Sequence, residues 1–142
     1  MRALGVDVGE RRIGLAISDA SGLIASPLEV LTIAEGDDPV ERVLERAREV
    51  GAECIVIGMP IDLRGEEGVA AQRMNEFVRR LQASSELPVE TSDERMTSAV
   101  AARSMQEAGL SERDRRGQMD KVAAALILQT WLDRRRAEGD AR

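Results

Sequence analysis

The sequence contains no histidine and no tyrosine, and one residue each of cysteine, tryptophan and phenylalanine. Without histidine, His-dependent triads, imidazole acid–base work and His-ligated metals are excluded together. Cys54 alone can close no internal disulfide and build no cysteine zinc cluster, which points to a reducing, cytoplasmic setting. Trp131 and Phe77 are too few to form a base-stacking surface, so any nucleic acid must be held through its backbone. No apolar run approaches the roughly 20 residues that span a bilayer, so no membrane partner is expected. The opening Met1-Arg2-Ala3-Leu4-Gly5-Val6-Asp7 reaches a carboxylate too early for the apolar stretch of a signal peptide. Catalysis, if there is any, is left to carboxylates, hydroxyls, arginine, the single Lys121 or a bound hard metal.

What remains suits one globular domain over residues 1–142, with its core between about 2 and 137: 43% of residues are apolar and 32% charged. The net charge of −6 argues against coating nucleic acid by bulk attraction. Its distribution is uneven. Residues 1–71 carry 14 acidic and 7 basic groups, whereas residues 72–142 carry 12 and 13. Apart from Lys121 every basic side chain is arginine, which suits forked phosphate contacts but is equally what an arginine-biased genome would supply.

Alternating and continuous apolar runs predict strands at Ala3 to Val8, Ile13 to Ser18 and Ile24 to Ile33, joined by the turns Gly9-Glu10-Arg11-Arg12 and Asp19-Ala20-Ser21-Gly22. Pro27 places the third strand near a sheet edge. Asp38-Pro39 starts a helix whose apolar stripe is Val40, Val43, Leu44 and Ala47, and Gly51 ends it. Cys54 to Gly58 reads as a strand buried on both faces. A helix from about Glu66 to Ser84, a strand from Leu87 to Thr91, a helix from Thr97 or Ser98 to Ala108 and a last helix from about Met119 to Ala137 complete the chain. The order βββαβαβαα is that of an α/β fold, a five-stranded mixed sheet with helices on its faces.

Three acidic positions stand out. Asp7 ends an apolar strand between Gly5 and Gly9, where it either caps the turn or serves a ligand for which the glycine leaves room. Asp93-Glu94-Arg95 falls at the carboxyl end of the fifth strand, where α/β sheets place ligands; an acidic helix start is the competing reading. Asp120 precedes the apolar run from Lys121 to Leu128, as an acidic first turn or as a carboxylate aimed across the sheet edge toward Asp7 and Glu94. Converged, the three would form an all-oxygen site suited to Mg²⁺ or Mn²⁺. Two such ions about 4 Å apart can activate water and stabilise the leaving oxygen of a phosphodiester.

The segments Gly5-Val6-Asp7-Val8-Gly9 with Arg12-Ile13-Gly14-Leu15-Ala16, Ile57-Gly58-Met59-Pro60-Ile61-Asp62 with Gly65, Asp93-Glu94-Arg95-Met96-Thr97-Ser98, and Asp120-Lys121-Val122-Ala123-Ala124 together resemble the YqgF (RuvX) family over about Ala3 to Leu132. That family belongs to the RNase H-like superfamily and is assigned to Holliday junction resolution and to 5′-end processing of pre-16S ribosomal RNA. The resemblance implies metal-binding, catalytic carboxylates at Asp7, Glu94 and Asp120, with Asp93 a further candidate ligand. Two departures stand out: Asp62 replaces an asparagine common in the family's loop, and Glu10-Arg11 replaces the usual hydroxyl or lysine.

Arg113, Arg115 and Arg116, crowded into the loop before Asp120, with Arg95 on the preceding helix and Arg12, are candidates for a phosphate backbone, and Asp62 for a nucleic-acid contact in the loop from Gly58 to Gly65; plain solvated charge competes for the arginines. The leading expectation is a metal-dependent nuclease acting on RNA, in 5′-end processing of pre-16S rRNA. The alternatives are a Holliday junction resolvase on structured DNA, a non-catalytic nucleic-acid-binding module, and a phosphohydrolase with the phosphate loop of the actin-like ATPases. A monomer suffices for RNA-end processing, whereas symmetric junction cleavage calls for a homodimer.

Overall fold

The computed structural model describes residues 1–9, 11–59, 69–93 and 112–140, giving the backbone path alone at 69–71, 93, 112–119 and 140. The first three strands, β1 (Ala3–Val8), β2 (Arg12–Ser18) and β3 (Ala25–Thr32), form an antiparallel meander. Helix α1 (Pro39–Glu49) then returns the chain to β4 (Cys54–Met59), parallel to β1, and α2 (Val69–Ser84) returns it to β5 (Val89–Asp93), parallel to β4. The sheet order is β3-β2-β1-β4-β5, with α3 (Glu112–Asp140) laid across one face. This is the five-stranded mixed α/β sheet that the sequence predicts.

Alternation decides which face each strand residue serves. Leu4, Val6, Ile13, Leu15, Ile55 and Ile57 join Val40, Val43, Leu44, Met74, Phe77 and Leu81 in a core between the sheet and α1 with α2. Asp38 starts α1 as expected, its Oδ1 accepting from the Val40 amide at 3.0 Å, while its Oδ2 pairs with Arg80 of α2 at 2.9 Å. On the opposite face Ala3, Ala16, Cys54 and Val56 meet Ala124, Ile127, Leu128 and Leu132 of α3. The sheet residues here are small, so α3 approaches closely. A Cβ at Gly5 would lie 2.8 Å from Leu128 Cβ, and one at Gly14 would lie 2.0 Å from the Asp120 carbonyl oxygen. Cys54 sits in this layer as an inert apolar filler, burial pushing its thiol pKa up to about 11.

Pro27 lies on the edge strand, where its missing N–H breaks no inner ladder, and a register shift opposite Leu15/Ala16 accommodates it. At the β2–β3 turn Asp19 Oδ1 accepts from the amides of Leu23 and Ile24, and the Ser21 hydroxyl donates to the other oxygen. Gln129 of α3 clamps the turn's exit, donating to the Leu23 carbonyl and accepting from the Ala25 amide, both at 2.9 Å. The Ile24 amide and the Ser21 hydroxyl hold the Asp19 carboxyl well below the usual carboxylate range. A folded-state pKa below the unfolded value contributes stability above about pH 4, which is lost as pH falls toward the lowered value. The melting-temperature gap between the native chain and Asp19→Ala is therefore expected to be constant above about pH 5 and to close on acidification. A gap that stays constant into strong acid would show that the charge is not responsible.

The structure shifts β5 by two residues, to Val89–Asp93 from the expected Leu87 to Thr91, and corrects one boundary by more. The last helix begins at Glu112, not near Met119, so Arg113, Arg115 and Arg116 lie on its opening turns instead of in a loop before Asp120. The stretch 112–118 is charged and polar, with Gly117 inside it, so it lacks the apolar periodicity that marks a helix, although Glu, Arg and Gln are good helix formers. The helix expected from Thr97 or Ser98 to Ala108 and the loop from Pro60 to Gly65 fall outside the described residues. Among the described residues no helix is long and apolar enough to cross a membrane.

Candidate functional site

Asp7 is the penultimate residue of the central strand, where Gly5 and Ala3 before it face α3. Strand alternation sets Asp7 on that same face, half-buried. Its register partner on β2 is Gly14. On the other side the parallel β1–β4 ladder, with Val6 opposite Ile57, brings Gly58 alongside, and Gly58 is in turn the partner of Ser92. One row across the sheet thus reads Val30, Gly14, Asp7, Gly58, Ser92. Flanked by two glycines, Asp7 has no strand side chain directly beside it on either side. The Ser92 hydroxyl at the far end is buried and makes no hydrogen bond among the described residues.

α3 closes the other side. Its backbone rests on Gly14 at Asp120, so Asp7 and Asp120, 113 positions apart in the sequence, border the same glycine. Asp120 stands more than two turns inside the helix, which removes the reading of it as an acidic first turn favoured by the helix dipole. Its side chain is 22% exposed, and Oδ2 is buried without a hydrogen bond among the described residues. The Arg12 Nε lies 3.2 Å from that oxygen, close enough to attract it but outside hydrogen-bonding geometry. Burial pushes the Asp120 carboxyl above its ordinary pKa, and the Arg12 charge pulls it back in part. Arg12 is placed by the hairpin: the Gly9 amide donates to the Arg12 carbonyl at 2.8 Å, so the first residue of β2 stands at the Asp7 end of the sheet.

The structure thus brings Asp7, Arg12 and Asp120 to one sheet end. Asp93 closes β5 in register with Met59, one row beyond Asp7. Glu94, Arg95 and Asp62 lie outside the described residues, and for Arg113, Arg115 and Arg116 only the helical backbone is described. Among the described residues no three acidic, cysteine or histidine side chains form a metal-holding group. Two features here are not anticipated by the sequence reading: Gly14 as the seat of α3, and the unpartnered Ser92 hydroxyl. The glycine in Arg12-Ile13-Gly14 was a signal for close backbone approach, although nothing local names α3 as what approaches.

Comparison with known proteins gives this geometry a context. A family model described as "RuvX: Holliday junction resolvase" matches residues 1–134. A protein of Chloroflexus aurantiacus named "Putative pre-16S rRNA nuclease" is 40% identical over 134 residues, covering 94% of this chain and 88% of the relative. One of the same name from Synechococcus sp. is 41% identical over 137 residues, covering 96% and 81%. Among solved structures, T. thermophilus RuvC in complex with a Holliday junction substrate superposes with a TM-score of 0.59 at 20% identity, over 96% of both chains. The fowlpox virus resolvase with junction DNA gives 0.56 at 11% identity, over 94% of this chain and 97% of that one. With a family model and relatives at 40–41% identity spanning nearly its whole length, this chain belongs to the RuvX family and carries the RNase H-like fold of the resolvases.

Proposed function

We propose that this chain is a metal-dependent nuclease that hydrolyses phosphodiester bonds in RNA, in 5′-end processing of pre-16S ribosomal RNA. The observation that carries the reading is the pair of carboxylates, Asp7 and Asp120, brought to either side of Gly14 from opposite ends of the sequence. A chain without histidine that assembles carboxylates at the end of a parallel strand pair has the donor set of a hard divalent ion. The Asp120 Oδ2, buried without a hydrogen bond, is the kind of oxygen that such an ion satisfies. Asp7, Asp120 and Glu94, the residue that follows β5, would hold Mg²⁺ or Mn²⁺, with Asp93 as a further candidate. When bound, such ions supply water activation and charge stabilisation at the scissile phosphate. The chain's own part is to hold the carboxylates on a rigid strand and a packed helix, with α3 seated on Gly14 and no side chain standing at Gly58 beside Asp7. Arg95, Arg113, Arg115 and Arg116 would hold the phosphate backbone, and the loop after β4 would contact the nucleic acid, with Asp62 weakening a phosphate contact that the family's asparagine makes.

RNA is favoured because relatives at 40–41% identity carry the rRNA nuclease name. The family description supports a second reading, cleavage of four-way DNA junctions, for which the chain would act as a homodimer. A cleavage panel in Mg²⁺ or Mn²⁺ with a pre-rRNA mimic, single-stranded RNA and a four-way junction decides between them. The mimic is expected to be cut fastest. Preferential, symmetric cutting of the junction would transfer the assignment to DNA, and no cleavage of any substrate with either ion would overturn the nuclease reading. Binding through a few arginines also predicts a modest, non-zero decline of affinity with salt, measurable by fluorescence anisotropy.

A further inference from the structure

The Arg12–Asp120 pair departs from an ordinary surface salt bridge in two ways. Exposed pairs join two solvated groups and contribute little. Here the Asp120 oxygen nearest the cation is buried and makes no hydrogen bond among the described residues, while the Arg12 side chain is 42% exposed. The contact is therefore electrostatic and one-sided: a fixed, partly dehydrated carboxylate faces a guanidinium with room to leave. The carboxylate cannot follow, because α3 is seated on Gly14 at Asp120 itself. The Arg12 backbone is held by the Gly9–Arg12 turn, and among the described residues its guanidinium pairs with Asp120 alone.

Resting on the metal-site reading above, we propose that Arg12 is a built-in counter-cation which holds Asp120 in the metal-free chain and is released toward the nucleic-acid backbone when a divalent ion takes its place. Arg12 is in this sense a positioning residue for Asp120. The pairing offsets the cost of a half-buried, unpaired carboxylate before metal arrives. Release then supplies a forked phosphate donor beside the metal. Metal binding and backbone binding become coupled through one side chain.

The test is a double-mutant cycle read without cleavage. Affinity for a fluorescein-labelled single-stranded RNA is measured in EDTA for the native chain, Arg12→Gln, Asp120→Asn and the double variant, with melting temperatures as a check on folding. With Asp120 present Arg12 is engaged, so Arg12→Gln changes the RNA Kd less than about twofold. Asp120→Asn frees Arg12 and tightens the Kd about fivefold, and this gain disappears in the Arg12→Gln background. A gain of equal size in both backgrounds would reduce the effect to general charge and overturn the proposal. A titration with Mn²⁺ followed by electron paramagnetic resonance gives the second arm. Arg12→Gln is expected to bind Mn²⁺ several-fold more tightly than the native chain, with Arg12→Lys between the two. Unchanged or weaker Mn²⁺ binding in a folded Arg12→Gln would show a merely structural pair, overturning the displacement. A native chain that binds no Mn²⁺ at all would overturn the metal-site reading instead, a result distinct from failure of the cycle in EDTA.

Discussion

Asp7→Asn is expected to abolish cleavage while leaving the fold intact. Asparagine has nearly the size of aspartate, and the backbone at this position is held by the β1–β2 ladder, where Asp7 is opposite Gly14, so no packing is lost. What changes is the charge on a side chain that stands between two glycines, Gly14 and Gly58. Removing a partner that merely orients a metal ligand typically costs about 10–100-fold in activity, and removal of a ligand itself is expected to exceed that range. The melting temperature should hold, because the strand pairings that fix position 7 are unchanged. RNA affinity in EDTA should be unchanged or slightly tighter, because one negative charge at the proposed site is removed. Cleavage by Asp7→Asn at the native rate would remove Asp7 from the mechanism and with it the proposed metal site.

Gly14→Ala should be the most damaging single methyl group in the described structure. The added Cβ would stand 2.0 Å from the Asp120 carbonyl oxygen and 2.3 Å from its carbon, both backbone atoms of a packed helix that cannot swing aside as a side chain can. Overpacking of this kind costs about 1–3 kcal/mol and occasionally more, and a backbone obstacle belongs at the upper end. For a chain of this length, about 3 kcal/mol corresponds to a fall of about 10 °C in melting temperature. Because the displaced segment carries Asp120, Mn²⁺ affinity should fall along with stability. Gly5→Ala, whose Cβ would meet the Leu128 Cβ at 2.8 Å and the Ala124 carbonyl at 2.9 Å, should cost less. Gly139→Ala, with no atom within 4 Å, should be neutral or slightly stabilising in its helix. Equal melting temperatures for Gly14→Ala and Gly139→Ala would mean that α3 does not rest on the sheet as described.

Much of this architecture is written in local patterns. Period-two alternation and apolar runs mark β1, β2 and β4, and Asp38-Pro39 with its stripe marks α1 to within a residue or two of its observed Pro39–Glu49. Pro27 correctly announced an edge strand. The start of α3 was not legible, because a helix that opens on charged residues shows no apolar stripe to read. The seat of that helix on Gly14 was invisible for a different reason: glycine signals that something comes close, without saying what. Ser92 lay in a segment read for its neighbouring acids, and its alignment with Asp7 depends on two successive parallel pairings.

Read alone, the amino-acid order determined the kinds of element present, the absence of imidazole chemistry and of cysteine metal clusters, and three acids as the candidates for a hard metal. Each of these depends on residue type or on a repeat a few positions long. Only the tertiary structure decided that Asp7 and Asp120 border one glycine, that Arg12 faces the buried oxygen of Asp120, and that Asp7 stands between Gly14 and Gly58 in the sheet. Those relations join positions up to 113 residues apart. They are set by which apolar surfaces can be buried together, through strand register and the depth to which a helix can settle on small residues, and no short window of sequence holds that information.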